Sequence, residues 1–210
     1  SERTTRMMID ENADDILRAI SDRYLSIHCS VMTTNEGRME NTKEMIKKYD
    51  VEGVHIDDYF YPYAKIPEEL EYDDYLKYRD SIDQSFDDFR RANVDKMIKS
   101  ISDALKKLLS KNGKKVEFGI SPFAVYRTNS SIVEGGWEKG SYNAASALQC
   151  YTELYSDVYK WMVEGWIDYV VPQNYFSFER RDVAYHDVAW WWSNICKETN
   201  LSLKYFLILL

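Results

Sequence analysis

The sequence predicts an α/β fold in which a parallel sheet carries helices on its outer face. From residue 38 onward, stretches with the two-residue period of a strand alternate with stretches of helical period. That order favours a parallel sheet with right-handed crossover connections. Long connections follow only the carboxyl ends of the predicted strands, which favours a (β/α)8 barrel over a doubly wound sheet.

The predicted strands and helices alternate along the chain. The strands are residues 24–32 (the weakest), 53–57, 116–121, 167–172 and 201–209, and the helices are residues 39–49, 88–109, 148–163 and about 183–198. Gly113 and Gly165 follow the second and third helices, as glycine commonly does where a helix ends. Residues 59–87 and 128–146 are long predicted loops, and loops of that length in a compact domain are usually functional.

Length limits how much of a barrel the chain can form. Eight strand-helix units typically need ~250 residues, whereas the chain has 210. We therefore expect a partial (β/α)8 TIM-type barrel of about four to five parallel strands with outer helices, truncated at both ends. Residues 1–34 are a poorly assigned N-terminal segment, and residues 35–210 are the predicted barrel fragment. Because an open barrel leaves strand edges unpaired, we expect self-association through them.

Composition argues against several classes of function. The net charge of −8 disfavours nucleic acid, whose phosphates need a basic surface, and fits a neutral sugar better. No apolar stretch reaches the ~20 residues of a transmembrane helix, and residues 1–20 show no signal peptide. Cys29, Cys150 and Cys196 are widely spaced, so we expect small buried hydrophobes rather than a disulfide framework or a metal site. We expect no cofactor.

The most informative segment is residues 54–62, where a short apolar strand opens into two acids and several aromatic side chains. Side chains alternate along a strand, so Val54 and Ile56 share one face while His55 and Asp57 share the other. The apolar face would meet the helices, and the polar face would look into the barrel. Asp57 then lies at the carboxyl end of its strand, where such folds build active sites. The alternative is that it only caps the following turn.

Several side chains that follow the predicted strands have the chemistry to bind a sugar. Gln173 faces inward at a strand end, where an amide can both donate to and accept from a hydroxyl, or serve as a buried structural group. His55 can bind a sugar hydroxyl or orient Asp57, and a satisfied core histidine is the alternative. Arg127 would bind a carboxylate or acetamido substituent, or form an ordinary ion pair. Three tyrosines that can stack on a sugar are Tyr59, Tyr61 and Tyr175.

Four blocks of the sequence support a resemblance. They are residues 50–62 (DVEGVHIDDYFYP), 88–94 (DFRRANV), 118–127 (FGISPFAVYR) and 165–175 (GWIDYVVPQNY). In this order they resemble the bacterial glycosyl-hydrolase-like family ten, a family of predicted (β/α)8 glycosidases, with Phe89 in place of the family's usual Trp. The resemblance implies hydrolysis of a bacterial envelope or other polysaccharide, and an extracellular or cell-envelope location.

The implied reaction needs two carboxyl groups across the scissile bond, ~5 Å apart for retention of configuration and ~6.5–9.5 Å apart for inversion. Adjacent side chains on a strand diverge, so Asp57 and Asp58 do not form this pair by themselves. We predict Asp57 as the nucleophile or base, with Asp58 as the second choice, or as the acid if the chain bends there. The partner acid is open: it belongs to a missing strand or to a loop acid, of which the candidates are Glu134, Glu138, Glu179 and Asp182.

Two functions of different classes are therefore predicted. The first is a glycosidase. The second is a non-catalytic carbohydrate-binding module or a non-functional barrel fragment. Catalysis needs a second carboxylate and a closed site, and misplacement by ~1 Å can cost ~10²-fold. We therefore expect residues 1–210 alone to hydrolyse aryl glycosides and peptidoglycan-type glycans weakly or not at all.

Overall fold

The computed structural model describes residues 24–27, 46–48, 51–57, 60–108, 113–129, 139–143 and 146–203. The strands are β1 (Tyr24–Ile27), β2 (Gly53–Asp57), β3 (Glu117–Ser121), β4 (Thr128–Asn129), β5 (Ser141–Tyr142), β6 (Tyr169–Val170) and β7 (Ser202–Leu203). The helices are α1 (Tyr72–Tyr78), α2 (Phe86–Leu105), α3 (Val158–Val163) and α4 (Tyr185–Glu198). Residues 46–48 are also helical, and residues 68–70 form a 3-10 turn.

Five strands form one sheet in the order β1-β2-β3-β6-β7, and each neighbouring pair is parallel. The parallel α/β fold predicted from the sequence is confirmed, and the weakest predicted strand is present as β1. β4 and β5 form a separate parallel pair inside the predicted loop 128–146. Within the described residues the five-stranded sheet is open, with β1 and β7 as its edges. The predicted extensions of these two strands, residues 28–32 and 204–209, lie outside the described residues.

The hydrophobic core lies between one face of the sheet and the helices. Val54 and Ile56 are fully buried there, as their shared strand face predicts, and so are Ile120 of β3 and Val170 of β6. They belong to one buried cluster with side chains from α2, α3 and α4, which include Ile98, Ile101, Trp161, Trp191 and Trp192. Packing on this face leaves the opposite face of β2, β3 and β6 for polar side chains.

Helix α2 begins earlier than predicted, at Phe86, because a serine caps it. The Ser85 hydroxyl accepts the backbone N–H of Asp88 at 3.1 Å, which satisfies one of the unpaired donors of the first turn. Asp87 and Asp88 add negative charge where the helix dipole favours it. The regular helix ends at Leu105, before the predicted end at residue 109.

The predicted helix over residues 148–163 is wrong in its first part, because only Val158–Val163 is helical. Gln149 uses its side-chain oxygen to accept the backbone N–H of Thr128 at 2.9 Å, which ties this segment to β4. Tyr155 has a left-handed φ of 53°, a conformation that interrupts a helix. Asp157 then starts α3 by accepting the N–H of Lys160 at 3.1 Å. Hydrophobic periodicity continues through such a break and does not detect it.

Two carboxyl groups lie between α2 and α3. Asp95, which is buried, accepts the indole N–H of Trp161 at 2.6 Å and the ammonium of Lys160 at 2.7 Å. Asp157 accepts the hydroxyl of Tyr126 at 2.8 Å as well as its capping N–H. Burial raises the pKa of Asp157, and the carboxylate of Asp95 adds to that rise, while the hydrogen bonds oppose it. Ionised Asp157 is therefore held at a cost in stability.

Replacing Asp157 with Asn is expected to change the free energy of unfolding by less than about 1 kcal/mol at neutral pH, because Asn caps a helix as well as Asp does. A raised folded-state pKa means that the fold favours the protonated acid. The unmodified protein should therefore gain stability relative to Asp157→Asn as the pH falls through that pKa. Urea unfolding of both proteins at about pH 7 and about pH 4.5 measures the difference.

Asp103→Asn is the matched control for this pH effect. The hydrogen bond from Lys99 lowers the pKa of Asp103 below its ordinary value of about 3.9, so any loss of its stabilising effect lies below the pH range of this experiment. The difference in stability between the unmodified protein and this variant should therefore stay nearly constant between about pH 7 and about pH 4.5. A difference for Asp157→Asn that also stays constant with pH, or that changes with the opposite sign, would contradict the assignment.

Cys150 and Cys196 are buried, as predicted, and the Cys150 thiol donates to the carbonyl of Phe123 at 3.1 Å. Cys29 lies outside the described residues. Burial raises the pKa of the Cys196 thiol to about 12. Within the described residues, no group of histidine, cysteine and acidic side chains is arranged to hold a metal ion. None of the helices in the described part of the chain combines the length and hydropathy needed to cross a membrane.

Candidate active site

The carboxyl ends of β2, β3 and β6 lie side by side. In the register of β2 and β3, His55 lies beside Gly119 and Asp57 beside Ser121. In the register of β3 and β6, Gly119 lies beside Tyr169. Since successive side chains alternate between faces, all of these residues lie on the face opposite the hydrophobic core. Asp57 is the last residue of β2, so its carboxyl group lies at the carboxyl edge of the sheet.

Gln173 joins the same edge just beyond the end of β6. It pairs with Phe123 in a parallel bridge, and its backbone N–H donates to the carbonyl of Pro122 at 2.9 Å. Its side-chain amide donates to the carbonyl oxygen of Ser121 at 3.1 Å. One hydrogen of the Gln173 amide therefore has a structural role, which is one of the two roles predicted for this residue. Tyr175, two residues on, is 57% exposed at the same end of the sheet.

His55 is hydrogen-bonded through both ring nitrogens. Nε2 lies 2.6 Å from the hydroxyl oxygen of Ser121, and Nδ1 lies 3.2 Å from the hydroxyl oxygen of Tyr169. The rings of His55 and Tyr169 are stacked, with centroids 5.7 Å apart and planes 16° from parallel. The imidazole is therefore held by two side chains from other strands. Such contacts are expected both of a histidine that orients Asp57 and of a satisfied core histidine, and the role of His55 in binding sugar stays a prediction.

Glycine at position 119 is what allows the Tyr169 ring to reach His55. Gly119 lies between the two residues in the register of the three strands. A Cβ built on Gly119 would overlap the Tyr169 ring. The phenol thus occupies the space that a side chain on β3 would fill. A glycine inside an otherwise apolar strand is a sequence signal for such a close approach.

Two predicted substrate-binding residues make their described contacts elsewhere. The Tyr61 hydroxyl donates to Glu71 Oε1 at 3.0 Å, and its ring meets that of Tyr155 edge to face. Burial and the Glu71 carboxylate raise the pKa of the Tyr61 hydroxyl. The guanidinium of Arg127 lies over the ring of Tyr151, 4.2 Å from its centroid. Both side chains are therefore engaged in holding loops, and their role in binding sugar stays a prediction.

The long segment 59–87 is fixed to α2 by Arg90. This side chain is 1% exposed, and it donates to Glu71 Oε2 at 2.7 Å, to the Tyr155 hydroxyl at 2.8 Å and to the Ile66 carbonyl at 3.1 Å. Its guanidinium also lies over the ring of Phe86, 4.6 Å from the centroid. The segment contains α1 and a 3-10 turn rather than an unstructured loop. Arg90 thus holds the connection that leads away from Asp57.

Several of the predicted acids lie outside the described residues, and the others are exposed. Asp58 and Tyr59 lie outside the described residues, and so do Glu134 and Glu138. Asp182 accepts two hydrogen bonds from Arg180, each at 2.9 Å, and these lower its pKa. Both side chains of this pair are exposed, and the role of Asp182 as the partner acid stays a prediction. Glu179 is exposed.

Aromatic rings that the sequence did not single out as substrate contacts lie next to this edge. The ring of Phe123, the bridge partner of Gln173, packs edge to face against the rings of Tyr63 and Phe176. The distances between ring centroids are 6.0 Å to Tyr63 and 6.3 Å to Phe176. Tyr63 is 47% exposed. We call Tyr63, Phe123 and Phe176 the aromatic rim. The sequence did not predict that these three rings lie together, because they come from three separate loops.

Acid, imidazole and amide groups thus lie at the carboxyl edge of a parallel sheet, where α/β folds build active sites, and aromatic rings lie beside them. The chain belongs to the family Glycosyl hydrolase-like 10, whose model matches residues 38–206. The family predicted from the four sequence blocks is therefore confirmed. A second family model, 2-hydroxyglutaryl-CoA dehydratase D-component, matches only residues 1–56, which lie largely outside the described part of the chain.

Relatives with descriptive names agree with the family. The chain is 34% identical over 183 residues to glycosyl hydrolase YngK of Bacillus subtilis (strain 168). It is 31% identical over 189 residues to glycosyl hydrolase DigH of Escherichia coli (strain K12). These matches cover 85% and 90% of the chain, but 33% and 40% of the two relatives. The chain thus spans well under half the length of the relatives that it matches.

Proposed function

We propose that this chain contributes the catalytic carboxylate of a glycoside hydrolase that acts on a bacterial envelope or other polysaccharide. The observation that carries the proposal is the placement of Asp57 at the carboxyl end of β2, in register with Ser121 and two residues after the doubly hydrogen-bonded His55. A carboxyl group fixed on a strand keeps its position as substrate binds, and the loops beyond it can close over a sugar.

In this proposal Asp57 is the nucleophile or base of an acid/base pair. Family membership and two relatives named as glycosyl hydrolases support the class of reaction. The second carboxylate comes from a missing strand or from one of the loop acids Glu134, Glu138, Glu179 and Asp182. The separation of the two carboxyl groups decides whether configuration is retained or inverted.

We further propose that residues 35–210 form part of a (β/α)8 barrel to which the N-terminal segment, residues 1–34, contributes strand β1. The strand order supports this arrangement: β1, β2, β3, β6 and β7 lie next to one another in chain order. A doubly wound sheet reverses its strand order at a switch point, whereas a barrel adds each strand beside the previous one. Self-association through β1 and β7 would follow where these edges stay unpaired.

The test of the catalytic proposal is a screen for newly released reducing ends. The chain and a full-length family member would be incubated with peptidoglycan-derived glycan strands, other polysaccharides and aryl glycosides. Release of reducing ends by the full-length protein, abolished by Asn at the residue aligned with Asp57, is the expected result. If no glycan is cleaved by the full-length protein, the catalytic proposal is wrong.

A second candidate, sugar binding without catalysis, is favoured by one observation, the aromatic rim. Rings with an exposed face can bind the C–H face of a sugar without any contribution from a carboxylate. The two candidates differ in one measurable respect. A binding module would retain oligosaccharides in affinity electrophoresis or calorimetry equally well before and after the substitution Asp57→Asn, and would release no reducing ends.

The aromatic rim gives a prediction for either candidate. Tyr63→Ala is expected to weaken glycan binding by roughly 0.5–1.5 kcal/mol, or about 2- to 13-fold in Kd, because an aromatic contact is lost. Calorimetric titration with a bound oligosaccharide measures the change. The matched control is Tyr78→Ala, which removes a comparably exposed tyrosine of α1 that contacts Lys77. Equal effects of the two substitutions would remove the aromatic rim from the binding site.

A further inference from the structure

We propose that Arg127 determines specificity by binding a carboxylate of the polysaccharide, and that Tyr151 holds the guanidinium in place for that contact. The inference rests on the proposed function in one respect, that the ligand is a polysaccharide. It goes further by naming the chemical class of that ligand, a sugar with an acidic substituent. Three observations carry it: the fixed backbone around Arg127, the contact of its guanidinium with an aromatic ring, and its pairing within the described residues.

The backbone at Arg127 is fixed on both sides by hydrogen bonds to other segments. The carbonyl of Tyr126 accepts the N–H of Tyr151 at 3.1 Å. The carbonyl of Arg127 itself accepts the N–H of Ser141 at 3.0 Å, and the N–H of the next residue donates to the side chain of Gln149 at 2.9 Å. The Arg127 side chain therefore leaves the backbone at a fixed point, which reduces the ordering that a ligand must impose.

Tyr151 holds the guanidinium through its ring. The Cζ atom of Arg127 lies 4.2 Å from the centroid of that ring. Tyr151 is held in turn by Arg91 of α2, whose Cζ lies 4.2 Å from the same centroid and whose Nη1 donates to the Tyr151 carbonyl at 2.9 Å. The attraction of a guanidinium to a ring needs no oxygen acceptor, so it leaves most of the five N–H donors for other partners.

No hydrogen bond or ion pair joins the Arg127 guanidinium to any residue that the structure describes. By contrast, Arg90, Arg91 and Arg180 each donate to a carboxylate. The ordinary ion pair that is the alternative for Arg127 is therefore not formed within this part of the chain. Arg127 is partly exposed, so a ligand can reach it. A planar guanidinium matches a carboxylate with two parallel N–H···O bonds, which makes an anion the best acceptor.

The negative charge of the whole chain does not oppose this preference. The net charge of −8 is a sum over all 210 residues. At physiological ionic strength, exposed charges more than ~8 Å apart are largely screened from each other. The groups next to the ligand therefore decide which charge it carries, and at this position the nearest one is the guanidinium of Arg127.

Arg127 and Tyr151 lie at the end of the sheet that carries Asp57. Both belong to the connection that leads from the carboxyl end of β3 to the start of α3, and so does Phe123 of the aromatic rim. Such connections lie at the face where the strands have their carboxyl ends. A polysaccharide extends over several sugar units, so a group on this face can bind a unit beside the one that reaches Asp57.

The experiment measures binding rather than cleavage. Calorimetric titrations of the chain use two probes: oligosaccharides that contain glucuronic acid, and oligosaccharides of N-acetylglucosamine and N-acetylmuramic acid, in which a lactyl ether carries the carboxylate. Each probe is also titrated after reduction of its carboxyl groups to alcohols. We expect at least one probe to bind about 10-fold or more tightly than its reduced form, because a hydrogen bond to a charged group is lost on reduction. The probe that shows this preference identifies the source of the carboxylate.

Arg127→Gln should remove the preference. Affinity for the carboxylate probe should fall by about 10- to 100-fold, while affinity for the reduced probe should stay the same. Tyr151→Leu keeps the charge but frees the guanidinium, so it should weaken binding of the carboxylate probe by less than Arg127→Gln does. The matched control is Arg79→Gln. Arg79 also lies over a tyrosine ring, that of Tyr75, but already donates to the Ile82 carbonyl, so its loss should change neither affinity.

Three results would overturn the inference. They are an absence of binding by both carboxylate probes, equal affinities for the carboxylate and reduced forms, and an equal loss of both affinities in Arg127→Gln, as expected if Arg127 binds an acetamido group or only holds a loop. Should Arg127→Gln fail to fold, Arg127→Lys takes its place, and a preference unchanged by the loss of the planar donors would overturn the role of the guanidinium. Absence of cleavage by a full-length relative would overturn the proposed function without affecting the measured preference for a carboxylate.

Discussion

Asp57→Asn is expected to reduce glycan hydrolysis by about 10²–10⁴-fold, the range for loss of a positioned acid or base. Asn is nearly isosteric with Asp, and the substitution leaves the backbone pairing of residue 57 with Ser121 in the sheet unchanged. The fold should therefore persist while the group that gains or loses a proton is lost. Initial rates of reducing-end release, measured at several pH values in a full-length relative at the aligned residue, test this.

Two variants make the Asp57 result specific. Asp74→Asn removes an exposed carboxyl group of α1 and should leave the rate unchanged. Asp58→Asn tests the second candidate at the same strand end. If Asp57→Asn retains the full rate while Asp58→Asn loses it, Asp57 has no part in the chemistry and Asp58 takes its place. A circular dichroism spectrum identical to that of the unmodified protein shows that a loss of rate is not a loss of fold.

The fold was predictable from the sequence in segments where the spacing of apolar residues identifies both the type of element and the face that it buries. In β2 the alternation of Val54, His55, Ile56 and Asp57 assigns each side chain to a face, and the burial of Val54 and Ile56 agrees. The helix over residues 148–163 was not predictable in the same way. Its apolar spacing persists through the turn at Tyr155, which has a left-handed backbone and whose side chain contacts Tyr61 and Arg90, both distant in the sequence.

The candidate site was predictable only in part. The alternation along a strand shows which side chains face inward, but it does not show which residues of neighbouring strands lie side by side. The sequence places His55, Asp57 and Gln173 on inward-facing positions, but it does not show that His55 meets Tyr169, which is 114 residues away. Nor does it show that Ser121 is the partner of Asp57. Gly119 was the available signal, since glycine within a strand marks a place where another group approaches closely.

The largest expected effect on stability is that of Glu71→Ala, which should lower the free energy of unfolding by roughly 3 kcal/mol. Arg90 is buried, and its guanidinium stays charged at any accessible pH. Removing Glu71 leaves that charge with only the Tyr155 hydroxyl and the Ile66 carbonyl as described acceptors. The Tyr61 hydroxyl also loses its acceptor. Urea unfolding followed by circular dichroism measures the loss, as a lower midpoint at an unchanged slope.

A second substitution separates this charge effect from the simple loss of a contact. Arg90→Met added to Glu71→Ala removes the uncompensated charge while keeping apolar bulk beside Phe86, so the double variant should recover part of the stability that Glu71→Ala loses. Asp182→Ala, which breaks the exposed pair with Arg180, should have little effect, because exposed ion pairs contribute little. A further fall in stability on adding Arg90→Met would show that the cluster acts through packing. If Glu71→Ala has as little effect as Asp182→Ala, the buried charge does not hold the connection between β2 and α2.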